Sequence, residues 1–286
     1  MNPVFFGALS ALGFGTADFM ARFSSRAMDH HNALLGMLLA GFLPLSLWVL
    51  LAFGLPPLDG SDLGWVFLTG AATTVMTLLL YWGLARGPIS VVAPIVGAHP
   101  VLVILFYVAV HGLEPTAAQW IAMLGTICGI ILVAGASNTK NASAMALEYP
   151  LAPTVLIALA ASLALAVVVI AGQAAADIHG EFHTLWLGRI VSIAVLLALF
   201  GVRRRKPSIP KRWWPFLCAQ GLLDAGAYIA LFAGSTGEGK AIVAVVAATF
   251  GAVTIALARI ILKESIGGVQ WLGIAVVFIG VIVLSG

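Results

Sequence analysis

Apolar residues run for about twenty positions at a time, then give way to a few polar, glycine or proline residues, and this alternation recurs about ten times along the chain. A hydrocarbon core needs roughly 20 apolar residues for each helical crossing. In lipid, every backbone amide must be satisfied within its own crossing or in a closed barrel. Barrel strands show a two-residue alternation, which these unbroken runs lack. The pattern therefore predicts helices over residues 3–21, 33–53, 63–85, 89–111, 117–136, 151–172, 183–202, 213–234, 240–262 and 267–285. The first has no Lys or Arg ahead of its apolar stretch and carries Asp18 within it, so it reads as a mature helix and not as a cleaved signal.

Composition places the chain in the same solvent. Hydrophobic residues make up 62% and charged residues 9%, against about 45–50% and about a quarter in soluble domains. The fold class expected is an all-α membrane protein with ten transmembrane helices. A net charge of +3 would suggest nucleic acid as a partner of a soluble protein, but here the basic residues lie in the connections. Arg22 and Arg26 follow the first predicted helix, Arg86 the third and Lys140 the fifth. Arg203, Arg204, Arg205, Lys206, Lys211 and Arg212 follow the seventh, and Arg259 and Lys263 close the ninth. The opposite side has Lys240 alone, with Arg189 inside a span. The positive-inside bias puts the first set in the cytoplasm and both termini outside. The run from Arg203 to Lys206 reads as an anchor beside anionic headgroups, with no nucleic-acid partner. Cys128 and Cys218 fall inside apolar spans and read as small packing residues. His30 and His31, adjacent in a short connection, are too few for a metal site, and neither metal nor cofactor is expected.

The halves repeat. Tyr81-Trp82-Gly83-Leu84-Ala85-Arg86-Gly87 ends the third span, as Tyr228-Ile229-Ala230-Leu231-Phe232-Ala233-Gly234 ends the eighth. Glu114 precedes Gln119-Trp120, and that span closes on Gly129 to Gly135; Glu264 precedes Gln270-Trp271, and the last span closes on Gly280 to Gly286. The unit is five helices, over residues 1–140 and 147–286. Five is odd, so the second copy enters the membrane inverted. Inverted repeats place a binding site near the midplane between the halves, which rock to expose it to one side and then the other.

Several of these residues resemble a known family. The paired units, the Gly-Pro-Ile-Ser-Val-Val-Ala-Pro run from Gly87 to Pro94, the acid before each last helix and the Gln-Trp opening it are similar to the EamA domains of the drug/metabolite transporter superfamily. In the first span Gly15-Thr16-Ala17-Asp18-Phe19 resembles that family's Trp-Gly-Ser-Asn-Phe, with Phe14 in place of the Trp and an acid near the Asn position. The resemblance covers essentially the whole chain. It implies ten helices and movement of small metabolites, often export of amino acids or related compounds, in the plasma (inner) membrane.

Charged side chains at bilayer depth read as functional, since each costs roughly 2.5–3.5 kcal/mol at the helix centre. Asp224, deep in the eighth span, and Arg189, in the seventh, are expected either to pair or to leave Arg189 to receive a substrate carboxylate; snorkelling of Arg189 to the outer surface is the alternative. His99 sits between Pro94 and Pro100, which remove amide donors and break the fourth helix. It is either a neutral hydrogen-bonded residue or a group that titrates and couples protons to transport. Asp18 is expected to form an interfacial pair with Arg22, or to line the inner mouth. Tyr228 shares a helical face with Asp224 and packs against an apolar part of a solute or anchors the helix. Trp186 is a further candidate contact, although most tryptophans here fit the interfacial belt. Gly125 and Gly129 form a small-xxx-small pair suited to close helix packing.

The expected function is a secondary carrier for small polar, amino-acid-like solutes, working by alternating access in the direction of efflux, with proton coupling and as a monomer or homodimer. A sugar-phosphate or nucleotide-sugar exchanger is the alternative within transport, but it would call for more basic residues inside the spans. From another class, an intramembrane enzyme or lipid-handling protein would call for clustered acids and histidines. The acids here are scattered, and Gly87-Pro88 and Gly237-Glu238-Gly239 lack the strand and helix of a phosphate-binding loop.

Overall fold

The computed structural model describes residues 2–56, 63–136, 149–234 and 239–285. Lys140, Gly237, Glu238 and Gly286 lie outside these. Among the described residues the chain is helical throughout, with α1 (Pro3–Met28), α2 (His30–Phe53), α3 (Leu63–Arg86), α4 (Ile89–Gly97), α5 (His99–His111), α6 (Ala117–Ala136), α7 (Leu151–His179), α8 (Glu181–Val202), α9 (Trp214–Gly234), α10 (Gly239–Ala247), α11 (Phe250–Ile261) and α12 (Gly268–Ser285). Read as ten crossings, the fourth is α4 with α5 and the ninth is α10 with α11.

The fourth crossing divides at Ala98. Pro94 lies inside α4 and Pro100 in the first turn of α5, and neither offers an amide to the turn before it. The ninth crossing, expected to be one continuous helix, divides as well, at residues 248–249. No proline stands there; the Thr249 amide and hydroxyl both turn back to Val246 O, at 3.1 and 2.7 Å. The two breaks stand 151 residues apart (249 minus 98), as do Gln119 and Gln270 (270 minus 119). The repeat thus carries its interrupted fourth helix as well as its sequence.

Helix contacts obey the same two-fold relation. α1 packs on α9 and α3 on α7, and exchanging the halves maps one contact onto the other. The pairs α2 with α9 and α3 with α8, and α1 with α10 and α4 with α7, are related in the same way, while α6 and α12 pack on each other. Glycine sets the closest crossings. A Cβ at Gly41 would stand 2.6 Å from Gly221 O, and one at Gly221 would stand 2.5 Å from Met37 O, so α2 and α9 meet backbone to backbone. Gly129 does the same against Gly273 O at 2.8 Å, between α6 and α12; its expected partner Gly125 has only ordinary contact, with Val276 at 3.8 Å.

Two helices outrun their expected ends. α7 continues to His179, and α1 continues to Met28, so Arg22 and Arg26 ride on its last turns and do not follow it. Their charges do not stop the helix because α3 supplies partners: Arg22 Nη1 donates to Leu84 O at 3.0 Å and to Gly87 O, and Arg26 Nε donates to Ala85 O at 2.7 Å. Two cations on the free carbonyls at the end of α3 also suit its dipole.

Candidate functional site

α9 turns Leu222 and Gly226 outward and Asp224 to the opposite face, with Gln220 and Tyr228 one turn to either side. α1 turns Phe5, Leu9 and Leu12 outward and presents Asp18 on the face that buries Ala11, Gly15 and Arg22. Both acids therefore point into the bundle. Asp224 lies ten residues past Trp214, where α9 begins, and Asp18 ten residues before Met28, where α1 ends. At about 1.5 Å per residue each is about 15 Å from the inner end of its helix, close to the midplane.

Arg189 of α8 closes on Asp224. Its Nη2 donates to Asp224 Oδ2, the guanidinium lies 5.9 Å from the Tyr228 ring centroid, and the side chains are 5% and 18% exposed respectively. Asp224, on the inward face of α9, thus keeps part of its carboxylate uncovered. Arg189 Nη1 is buried with no hydrogen-bond partner among the described residues and abuts Gly41, where a Cβ would stand 3.0 Å from it. Asp18 faces Asp224 as a like charge, and the charges of both acids act on Tyr81 and Tyr228.

Polar and aromatic layers bound the acids above and below. One turn outward from Asp18 on α1 is Phe14, and one turn outward from Asp224 on α9 is Tyr228; their rings meet edge to face with centroids 4.6 Å apart. Phe250 stands 6.3 Å from Phe14. Toward the cytoplasmic ends, a buried chain of hydrogen bonds ties three helices: Ser24 Oγ donates to Gln220 Oε1 at 3.0 Å, and Gln220 Nε2 donates to the Tyr81 hydroxyl at 2.7 Å. Below it Glu264, between α11 and α12, accepts the amide of Ser90 at 3.2 Å, while Gln270 Nε2 donates to Ser90 Oγ at 2.9 Å. Burial pushes the Glu264 carboxyl above the usual range, and the Ser90 amide and the Arg22 charge oppose that shift.

The structure thus brings together Asp224, Arg189, Tyr228 and Asp18. Asp18 does not lie at an interface, because α1 runs ten residues beyond it, and Arg22 Nη1 is directed to the end of α3. His99, the first residue of α5, is not brought to the cluster: its Nδ1 is buried with no partner among the described residues, and its helix packs on α7 and α12. Trp186, one turn before Arg189, donates from Nε1 to Ser46 Oγ at 2.9 Å and packs among Leu45, Val49 and Ile229. Gln220, Ser24, Tyr81 and Phe14 were not expected at the site. Gln220 had a signal, an amide one turn from Asp224 on the same face; so did Tyr81, the repeat counterpart of Tyr228.

At the cytoplasmic rim Asp29 adds a third candidate ligand to the two adjacent histidines. Asp29 turns the chain between α1 and α2 in a single residue at φ 73°, and His30 Nδ1 and His31 Nδ1 lie 2.8 and 3.0 Å from its carboxylate. Arg203 Nη1 donates to His31 Nε2 at 2.9 Å, and Arg205 and Lys206 line the adjoining cavity of about 160 Å³. Those three cations oppose binding of a metal ion.

Comparison with known proteins accords with the architecture. The model of the EamA-like transporter family matches residues 1–135 and again residues 152–286. A search of curated proteins gives no match. Among solved structures, one titled "Crystal structure of protein" is 17% identical over 98% of this chain and 95% of its own, with a TM-score of 0.66. That likeness concerns the fold alone.

Proposed function

The chain belongs to the EamA-like transporter family, within the drug/metabolite transporter superfamily, and is a multi-pass integral membrane protein; from that premise we propose that it is a secondary carrier binding one small polar, amino-acid-like solute at mid-depth. The units 1–140 and 147–286 rock against each other, and the solute is released outward across the plasma membrane. The observation that carries this reading is the Arg189–Asp224 pair, held about 15 Å inside the bundle with Asp18 opposite and an accessible carboxylate edge facing inward. A buried pair is weak evidence for stability, because desolvation consumes much of its attraction. It is better explained as the charged floor of a site that must release what it binds. The Phe14–Tyr228 contact on the outer side and the Ser24–Gln220–Tyr81 chain on the inner side serve as two gates. Proton coupling, expected of His99 from its place between two prolines, fits the acids better, since His99 lies apart from them.

A sugar-phosphate exchanger is disfavoured by the same geometry, because the one cation in the central cluster is already committed to Asp224. The test is counterflow in proteoliposomes with a panel of amino acids, amines, carboxylates and sugars. Saturable exchange of one class is expected, and Asp224→Asn and Arg189→Gln should each lower it by about tenfold or more, the scale of one lost charge-assisted contact of ~1.4 kcal/mol. Exchange unchanged in both variants would contradict the site.

A further inference from the structure

We infer that the cavity at the cytoplasmic rim seats the phosphodiester group of one anionic lipid from the inner leaflet. This binding does not depend on the carrier reading above. The walls come from both halves of the chain. Asp29 and His31 enter from the turn into α2, and Arg203, Arg205 and Lys206 from the end of α8 and the connection after it, around a space of about 160 Å³.

Three cations share this space with one carboxylate, and that carboxylate is occupied. His30 Nδ1 lies 2.8 Å from Asp29 Oδ1, and His31 Nδ1 lies 3.0 Å from Oδ2. An arginine can only donate, so His31 Nε2 accepts from Arg203 Nη1 at 2.9 Å, and the proton of the neutral ring lies on Nδ1 and goes to Asp29. Among the described residues no carboxylate forms a salt bridge with Arg203, Arg205 or Lys206. The N-terminus of α2 and the C-terminus of α8 carry about half a charge each, of opposite sign, and these cancel. A surplus of two positive charges remains, and it calls for an anion. Asp29 precedes α2 without capping it through its side chain, so the first-turn amides of that helix add donors at the same end.

The backbone builds the seat. Arg204 adopts φ 51°, a left-handed conformation costly for an L residue, and the amides of Arg204 and Arg205 turn back to Gly201 O and Phe200 O, both at 3.0 Å. This closure brings Arg205 and Lys206 to the same cavity as Leu199 and Phe200, which give it an apolar floor. The space is smaller than the ~300–1,000 Å³ of pockets for whole small molecules, and it suits a phosphate with the few atoms next to it. Val202, the last residue of α8, is 83% exposed beside these cations. Apolar surface at the level of the inner headgroups favours a phosphate that carries acyl chains over a free one, and basic pockets between helices on the cytoplasmic side suit such headgroups.

The probes are dioleoylphosphatidylglycerol, dioleoylphosphatidylcholine and inorganic phosphate, each added to the purified, delipidated full-length protein in nonionic detergent. Native mass spectrometry counts bound lipid, and thermal unfolding reads protection. One phosphatidylglycerol per chain is expected to be retained in preference to phosphatidylcholine and to raise the melting temperature. Arg205→Gln combined with Lys206→Gln should weaken its binding about tenfold or more, the scale of a lost charged hydrogen bond, while Lys211→Gln combined with Arg212→Gln should change it by less than about twofold. The second pair removes the same charge from the same connection but not from the cavity walls, and all four side chains are exposed, so both double variants should fold. Equal weakening in the two double variants would mean attraction without a seat and would overturn the inference. Phosphatidylcholine held as firmly as phosphatidylglycerol, or protection by inorganic phosphate with none by phosphatidylglycerol, would overturn it as well.

Discussion

Arg189 and Asp224 show why charges in this chain must be weighed in pairs. Removing one partner leaves the other buried and uncompensated, which typically costs about 3–5 kcal/mol, whereas replacing both can be nearly neutral. Arg189→Gln and Asp224→Asn should therefore each destabilise the protein strongly, and the double variant should lose less than the sum. Unfolding of the three variants in detergent, arranged as a thermodynamic cycle, measures that coupling; simple additivity would contradict the pair. Glu264 gives a pH prediction of definite sign. Its carboxyl titrates above the ordinary range in the folded protein, so between the unfolded and folded midpoints the native state binds more protons. Its contribution is complete below the unfolded midpoint and is lost as pH rises through the folded one. Glu264→Gln, whose side-chain oxygen still accepts the Ser90 amide, should flatten that decline and raise stability at neutral pH. An unfolding curve with the same pH slope as the parent would contradict the account.

Elements here are placed by what their neighbours tolerate. α2 and α9 approach so closely at Gly41 and Gly221 that no Cβ fits without movement, and the same crossing sets the position of Arg189 Nη1. Gly41→Ala should cost about 1–3 kcal/mol, as overpacking does, and should also impair solute binding by displacing the guanidinium. A variant with lowered melting temperature but unchanged binding would separate the crossing from the site. The interrupted fourth helices of the two halves differ in cause. Pro94 and Pro100 make the first break legible, whereas the second has no proline and is marked only by Thr249, a residue type common in unbroken helices. α1 shows the converse case, in which two arginines read as the end of a helix although carbonyls on α3 let it continue. That extension places Asp18 ten residues inside the end of α1 and not at an interface.

For the molecule as a whole, lipid makes the architecture readable. Each crossing must be a contiguous apolar helix, so the ten spans and the five-helix period stand in the sequence, and an odd period dictates inversion. The charged members of the site were readable for the same reason, since Asp224 and Arg189 interrupt apolar runs. Gln220, Ser24 and Tyr81 were not, because uncharged polar side chains barely disturb such runs and only packing shows that they join three helices. His99 stood out between its prolines, but the packing of its helix on α7 and α12, which sequence does not give, keeps it from the acids. The central claim is that a water-reachable path runs between the inverted halves and is interrupted at the acids. It is tested most directly by single cysteines in a chain lacking Cys128 and Cys218, probed with a membrane-impermeant thiol reagent from each side of sealed vesicles of known orientation. Phe14→Cys should react from the outer side and Tyr81→Cys from the cytoplasmic side; if neither position reacts from either side, no such path exists and the account fails.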